Sequence, residues 1–509
     1  MLRPVLAIAG GAGLYALALP RFDLWPCAWL ALVPLILVVR GRAAGAAAAY
    51  GALAGFVSAW AATWWLAKAV AGYFQAGIVV GALAMSAAYA VAVCSAFVLF
   101  ALGARVLADR GPFALAALWT ACELVRGRVF GQPWGLLGYT QHGEPALIQL
   151  AALAGVYGVS FVVALGNAAI AEALWRWRAG APLGHAARTL VAPGTAIAAV
   201  WLGGALALPP LDAADPGLPR VAVVQSNVQP AFHWTRGHAE QQLLANLRLT
   251  ERLADAHPSL VVWPENAVTV YLEQEPYIAD QLHHVAARLG VDLLVGGPRF
   301  ADGHTYNSAR LLHADGSPGE AYDKQRLVAF AEAPPFDHLA DAERSESPRA
   351  FSAGTSPGVL ESFAPLAVSI CHELLYPDVI NPAVTEGGAL LVNLANDGWL
   401  DGGFGVGGSQ HFAMGVLRAV ETRRYLVRAS TTGVSAVVDA WGRILASQPP
   451  DGVGVAVAGV APRYDLTPYV RFGDVFALAC ALAVLVALGR ELVPVPRRRR
   501  LALPAPIEA

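Results

Sequence analysis

The sequence predicts a polytopic α-helical membrane domain of about eight spans, joined to an extracytoplasmic α/β domain. Three observations carry this reading. Residues 1 to about 208 are one apolar run after another. Arginines gather on alternate loops between those runs. Residues 220–462 then change texture, to short β-branched runs alternating with amphipathic stretches. Composition agrees. Only 14% of the 509 residues are charged, roughly half the usual share, and mean hydropathy is +0.49. A net charge of −2 offers no basic face for nucleic acid.

A helix needs about 20 mostly apolar residues to cross a bilayer. Within residues 1–210 seven segments qualify as candidates, at about 5–20, 24–40, 45–67, 76–104, 112–125, 148–174 and 189–208. An eighth follows at 472–490, and a basic tail, 491–509, closes the chain. The segment at 112–125 is short and carries Glu123. Arg3 before the first run resembles a signal peptide, but further spans follow at once, so a retained anchor is expected. Arg3, Arg40, Arg42, Arg105, Arg110, Arg176, Arg178 and Arg188 fall on one side. Arg490 and Arg497–Arg500 join them if the spans number eight. The opposite short loops hold Arg21, Lys68, Arg126 and Arg128. The positive-inside rule therefore expects both termini in the cytoplasm and residues 220–462 outside.

In that outer stretch RVAVVQSNV, SLVVWPEN, VDLLVGGPRF, LAVSICHE and ALLVNLAND read as strands. EQQLLANLRLTERLADAH and YIADQLHHVAARLG read as helices, and the alternation argues a buried sheet. GVSAVVDAWGRIL and VGVAVAGVAP look like hairpin strands, and ALPPLDAADPGLPR is a linker from the membrane portion. Cys27, Cys94, Cys122 and Cys480 sit in apolar runs, whereas Cys371 stands in the polar part of the chain. No metal-binding spacing is present, so neither a metal nor a cofactor is expected.

Glu265, Lys324 and Cys371 each stand at or just beyond an apolar strand, where α/β folds gather their sites. Together they have a chemical logic. A carboxylate takes the thiol proton, the thiolate attacks a carbonyl, and an ammonium stabilises the oxyanion. Blander readings stay open on the residues alone: Cys371 as a packed thiol, Glu265 as a cap companion, Lys324 as a solvated turn residue. His372 invites a Cys–His pairing, but neighbours on a continuing strand point to opposite faces.

WPEN, the lysine of YDKQRLV and the cysteine of SICHE, in that order, resemble the Glu–Lys–Cys triad of the nitrilase (carbon–nitrogen hydrolase) superfamily. The resemblance implies an αββα sandwich over 220–462, with Glu265 as general base, Lys324 as oxyanion stabiliser and Cys371 as nucleophile. GQPWGLLGYTQ (131–141), VQSNVQPAFHW (224–234), NDGWL (396–400), SQH (409–411) and RAVETRRYLVRAS (418–430) extend it over nearly the whole chain. In them the sequence is similar to the apolipoprotein N-acyltransferases, the membrane-embedded branch. That implies fatty acyl transfer from a membrane phospholipid to the α-amine of an apolipoprotein's diacylglyceryl-cysteine, at the bacterial inner membrane. Glu332 and Glu373 match supporting glutamates of the family, and Trp234 matches an aromatic associated with substrate.

Four departures stand out. Ala329 and Ala331 replace a proline and a glycine, and His372 replaces an aromatic. The 400–410 loop lacks an aromatic–glycine pair, and TTG at 431–433 replaces an asparagine-containing pattern. Two other functions compete. A membrane-tethered nitrilase or amidase would use water as acceptor. A transporter or receptor with an outer binding domain would need ionisable residues within its spans, which are almost absent apart from Glu123.

Overall fold

The computed structural model describes residues 2–73, 77–210, 217–229, 235–328, 332–333, 351–401 and 405–492. Trp234, Ala329, Ala331, part of the 400–410 loop and the basic tail beyond 492 lie outside the described residues.

Each apolar segment is helical. The membrane portion contains α1 (Leu2–Ala18), α2 (Val33–Val39), α3 (Ala44–Tyr73), α4 (Ile78–Leu107), α5 (Pro112–Leu124), α6 (Ala151–Arg178) and α7 (Val191–Ala207). Among the described residues three stretches are long and apolar enough to cross a membrane: Ala44–Gly72, Val91–Arg110 and Ala151–Arg178. The others are shorter. The expected span at 24–40 is a 3₁₀ turn, Trp25–Trp29, followed by α2, because Pro26 and Pro34 each open a new helical start. Beyond α5 the chain continues as a π-helical turn, Val125–Val129, in which Arg126 is buried. Arg126 donates to the carbonyls of Gln132 and Trp134, so its charge holds the 131–141 loop in place.

The α/β portion consists of two six-stranded sheets. The first runs β12-β1-β2-β3-β4-β5 and the second β11-β10-β9-β8-β7-β6. Their ranges are β1 Arg220–Gln225, β2 Leu260–Val262, β3 Asp292–Ala301, β4 His304–Leu312, β5 Pro318–Asp323, β6 Val359–Glu361, β7 Pro365–Ile370, β8 Leu390–Ala395, β9 Leu426–Ser430, β10 Ser435–Val438, β11 Ile444–Gln448 and β12 Gly454–Gly459. Both centres are parallel (β1-β2-β3 and β7-β8-β9) and both margins antiparallel. The period-2 alternation of strand side chains decides the layers. Val221 and Val223 face the second sheet's Val368, Ile370, Val392 and Val427 in one core. Ala222 and Val224 turn the other way, onto α8 (Arg236–Glu251) and α9 (Pro276–Leu289).

On the far side, Leu391, Leu426 and Val438 pack against α10 (Pro377–Thr385) and α11 (Val406–Thr422). That second helical layer shares one continuous core with the membrane helices. The order helix, sheet, sheet, helix is the expected αββα sandwich. The hairpin expectation holds for GVSAVVDAWGRIL and fails for VGVAVAGVAP. β10 and β11 form the hairpin, and the chain then crosses to the first sheet, where β12 pairs with β1. A last helix, α12 (Val475–Leu492), returns to the membrane portion.

Candidate active site

The site straddles the two sheets at the carboxyl ends of their parallel strands. β2 ends in Val262, and Trp263, Pro264 and Glu265 follow it. Trp263 is fully buried and its indole donates to Thr250 Oγ1 at 2.8 Å, which anchors the turn. The turn lies so close to β3 that a Cβ at Gly296 would meet Pro264 O at 2.5 Å. Glu265 is 4% exposed. Lys324 follows β5, fixed by its own backbone: its N–H donates to Asn307 O and its carbonyl accepts from Gly354 N, both at 2.8 Å.

Lys324 Nζ, 1% exposed on its side chain, donates to Glu265 Oε1 at 3.0 Å and to Glu332 Oε1 at 2.8 Å. Asn307 Nδ2 donates to the same two oxygens, each at 2.8 Å. Burial works against the ammonium charge, but the Glu265 and Glu332 carboxylates outweigh it and hold the Lys324 pKa well above the usual lysine range. Glu332 also accepts from Val328 N at 2.7 Å. The sequence-predicted Glu265, Lys324 and Glu332 therefore form one buried ion cluster.

Cys371 comes from the other sheet. It follows β7 directly and adopts φ +55°, a left-handed conformation that non-glycine residues seldom take. The strand ends there. Cys371–Leu375 is a 3₁₀ turn, so the expectation that the strand persists through His372 and Glu373 is corrected. The Cys371 carbonyl accepts from Asn393 Nδ2 at 3.1 Å. Cys371 is 9% exposed, and its thiol is within electrostatic reach of both Glu265 and Lys324. Burial, then the Glu265 carboxylate, push its pKa well above the ordinary thiol value, with Lys324 pulling the other way.

Glu373 reaches back from the turn. Its carboxylate accepts from Ile370 N (2.8 Å), Tyr322 Oη (2.9 Å), Gln325 N (2.7 Å) and Arg326 N (2.9 Å). It thereby ties the cysteine turn to the loop that carries Lys324. His372 is held neutral, chiefly by burial and then by the Lys324 charge, and packs edge-on to Tyr376 at 5.7 Å. Its Nδ1 has no hydrogen-bond partner among the described residues.

Sequence reasoning assigned no role to a second buried cluster. Asp397 binds His411 Nδ1 (2.9 Å), Arg428 Nη2 (2.8 and 3.0 Å) and Ser430 Oγ (3.0 Å). Burial opposes the Asp397 charge, but Arg428 holds its pKa below the usual carboxylate range. His411 lies against the Cys371 main chain and stacks obliquely on Trp134 at 5.9 Å. Trp134 in turn donates to Gln410 Oε1 at 2.6 Å, so the 131–141 loop reaches the site from the membrane side. The signal was present in NDGWL, SQH and the arginine of YLVRAS, but their partnership is tertiary. Among the described residues no group of His, Cys, Asp and Glu is arranged to hold a metal.

Residues 11–169 match the model of the apolipoprotein N-acyltransferase N-terminal domain, and residues 220–469 match carbon–nitrogen hydrolase. An apolipoprotein N-acyltransferase of Geobacter metallireducens is 32% identical over 503 residues, covering 95% of this chain and 94% of that protein. One of Pseudomonas aeruginosa PAO1 is 31% identical over 516 residues, covering 97% of each. Among solved structures, an amidase from Nesterenkonia sp. aligns with TM-score 0.40 and 19% identity, over 53% of this chain and 99% of that one.

Proposed function

Because the chain belongs to the apolipoprotein N-acyltransferase family, we propose that it transfers a fatty acyl group from a membrane phospholipid to an apolipoprotein. The acceptor is the α-amine of the diacylglyceryl-cysteine, and the acyl group passes through a thioester on Cys371. The observation that carries this is the Glu265–Lys324–Glu332 ion cluster within electrostatic reach of the Cys371 thiol.

Glu265 takes the Sγ proton as sulfur attacks the ester carbonyl carbon. Lys324 Nζ stabilises the oxyanion that forms. When the tetrahedral intermediate collapses, the C–O bond breaks, and the lysophospholipid oxygen leaves with the proton held on Glu265. In the second half the acceptor amine, neutral after losing one proton to water, attacks the thioester. Glu265 accepts a second amine proton, the C–S bond breaks, and that proton returns to sulfur. The product is an amide and the enzyme is restored. Glu332 orients Lys324, while Glu373 keeps the lysine loop against the cysteine turn. Trp234 is assigned to substrate engagement on the family motif alone.

The membrane portion fits this reading, since donor and acceptor are both lipids and have to meet the site at bilayer level. In the proposed topology eight spans put both termini in the cytoplasm and the catalytic sandwich outside. The competing hydrolase reading predicts a different product. Purified protein in detergent, given phospholipid and a diacylglyceryl-peptide, should yield N-acyl peptide and lysophospholipid in equal amounts. Free fatty acid in place of N-acyl peptide would make the protein an acyl hydrolase.

A further inference from the structure

Helix α11, in the outer layer of the sandwich, packs against the membrane helices. One turn apart on it, Arg418 and Glu421 form an ion pair whose side chains are each 1% exposed. Arg418 also donates through Nε to Leu374 O at 3.2 Å and through Nη2 to Leu375 O at 3.1 Å. Those two carbonyls close the 3₁₀ turn that opens at Cys371. On the other side, Glu421 Oε1 accepts from Val156 N at 2.7 Å.

That N–H sits at a break in membrane helix α6. Gly155 has φ +64°, and the ring of Tyr469 stands 2.4 Å from where a Cβ would be. Val156 is the first residue of the resumed helix, so the Glu421 carboxylate caps its N-terminal end, where a negative charge is favourable. Its guanidinium partner satisfies the last carbonyls of the cysteine turn. Thr467 Oγ1 adds a hydrogen bond to Glu421 O at 2.5 Å, so the segment leading to α12 is fastened at the same point. Three acceptors converge on Arg418, and only a planar fork of donors reaches all three; a lysine ammonium does not.

We propose that Arg418 is a positioning residue for the reaction. With Glu421 it sets the Cys371 turn against Lys324 and Glu265 by reference to the broken membrane helix. It touches neither the thiol nor the substrate. The inference rests on Cys371 being the acylated nucleophile. In mechanism it makes the nucleophile's position a property of the membrane portion and not of the sandwich alone.

The test uses full-length protein in detergent and two variants. Arg418→Lys keeps the charge that compensates Glu421. The double variant Arg418→Met/Glu421→Gln removes both buried charges, which leaves no unpaired ion to unfold the protein. Three quantities are measured: melting temperature, the single-turnover rate of Cys371 thioester formation against phospholipid concentration, and the pH profile of Cys371 alkylation by iodoacetamide. Both variants should melt within about 5 °C of the unmodified protein. Their maximal acylation rate should fall about tenfold to a hundredfold, with half-saturation unchanged, as expected for a misplacement near 1 Å. The alkylation profile should shift, because the thiol's distances to Lys324 and Glu265 have changed.

Acylation within twofold of the unmodified protein in both variants would overturn the proposal, and so would loss of the fold in both. An unmodified protein that forms no Cys371 adduct at all would instead defeat the functional reading beneath it.

Discussion

At the scale of single residues, the proposed chemistry starts from the environment of Cys371. Its thiol is held above its ordinary pKa first by burial and then by Glu265. Replacing Glu265 by Gln therefore separates two effects that usually travel together. The midpoint of Cys371 alkylation by iodoacetamide should move to lower pH, because a neighbouring negative charge is gone. Acylation by phospholipid should nevertheless be lost, because the proposed base is gone. A Glu265→Gln protein that acylates at the normal rate would remove Glu265 from the mechanism.

Lys324→Arg keeps the charge but not the shape. Its broad head cannot sit between Glu265, Glu332 and a developing oxyanion, so thioester formation should drop about a hundred- to a thousandfold. His372 should behave differently, and His372→Phe should retain most activity. It should also flatten the acid limb of stability. The folded-state pKa of His372 is lowered, so below about pH 6.5 the unfolded chain binds a proton that the folded one refuses. Stability is thus lost as pH falls from there. The melting temperature of the His372→Phe protein should fall less between pH 7 and pH 5 than that of the unmodified protein.

Cys371, Glu265 and Lys324 stood out in the sequence as candidates because each stands within a short motif at a strand end. The parts played by Asn307 and Asp397 did not, since their partners are distant in sequence, 25 positions for Asn307–Glu332 and 31 for Asp397–Arg428.

At the scale of elements, sequence reasoning located the β-branched strands and the amphipathic helices, because burial on one face leaves a periodic trace. It missed what happens at the ends. LAVSICHE reads as an uninterrupted strand, yet the chain turns left-handed at Cys371 and enters a 3₁₀ turn. The cause is tertiary. Glu373 finds four donors only by folding back onto Ile370 and the Tyr322–Arg326 segment. Glu373→Gln keeps one acceptor oxygen and presents an NH2 to groups that are themselves donors. It should destabilise the protein by about 2 kcal/mol or more, measured by denaturant unfolding in detergent. A change under about 0.5 kcal/mol would mean that the two loops do not depend on each other. The fate of β12 was hidden for a related reason: a β-branched run records that it is buried, not which sheet buries it.

At the scale of the whole molecule, apolar runs and arginine placement outlined a membrane portion, and every run is helical in the structure. Span number was less legible. Three described stretches are long and apolar enough to cross on their own. The rest are short or interrupted, by proline before α2 and by a π-turn after α5. Such interruptions leave no mark on an averaged hydropathy trace. What the sequence could not reveal is the union of the two portions. The outer face of the second sheet, helices α10 and α11 and the membrane helices share one core. The proposed topology remains directly testable with reporter fusions at about residue 300 and at residue 505. Opposite signals are expected from the two, and matching signals would reverse the orientation or change the span count.

In the proposed reaction an acyl group resides on Cys371 between donor and acceptor. The most direct measurement is mass spectrometry of the purified protein after exposure to phospholipid, with no acceptor present. The account predicts a fatty acyl mass on the peptide containing Cys371, released by hydroxylamine, lost in Cys371→Ala and retained when Cys27, Cys94, Cys122 or Cys480 is replaced by Ala. A hydroxylamine-sensitive adduct that persists in Cys371→Ala, or transfer to a lipopeptide with no adduct on any cysteine, would contradict it.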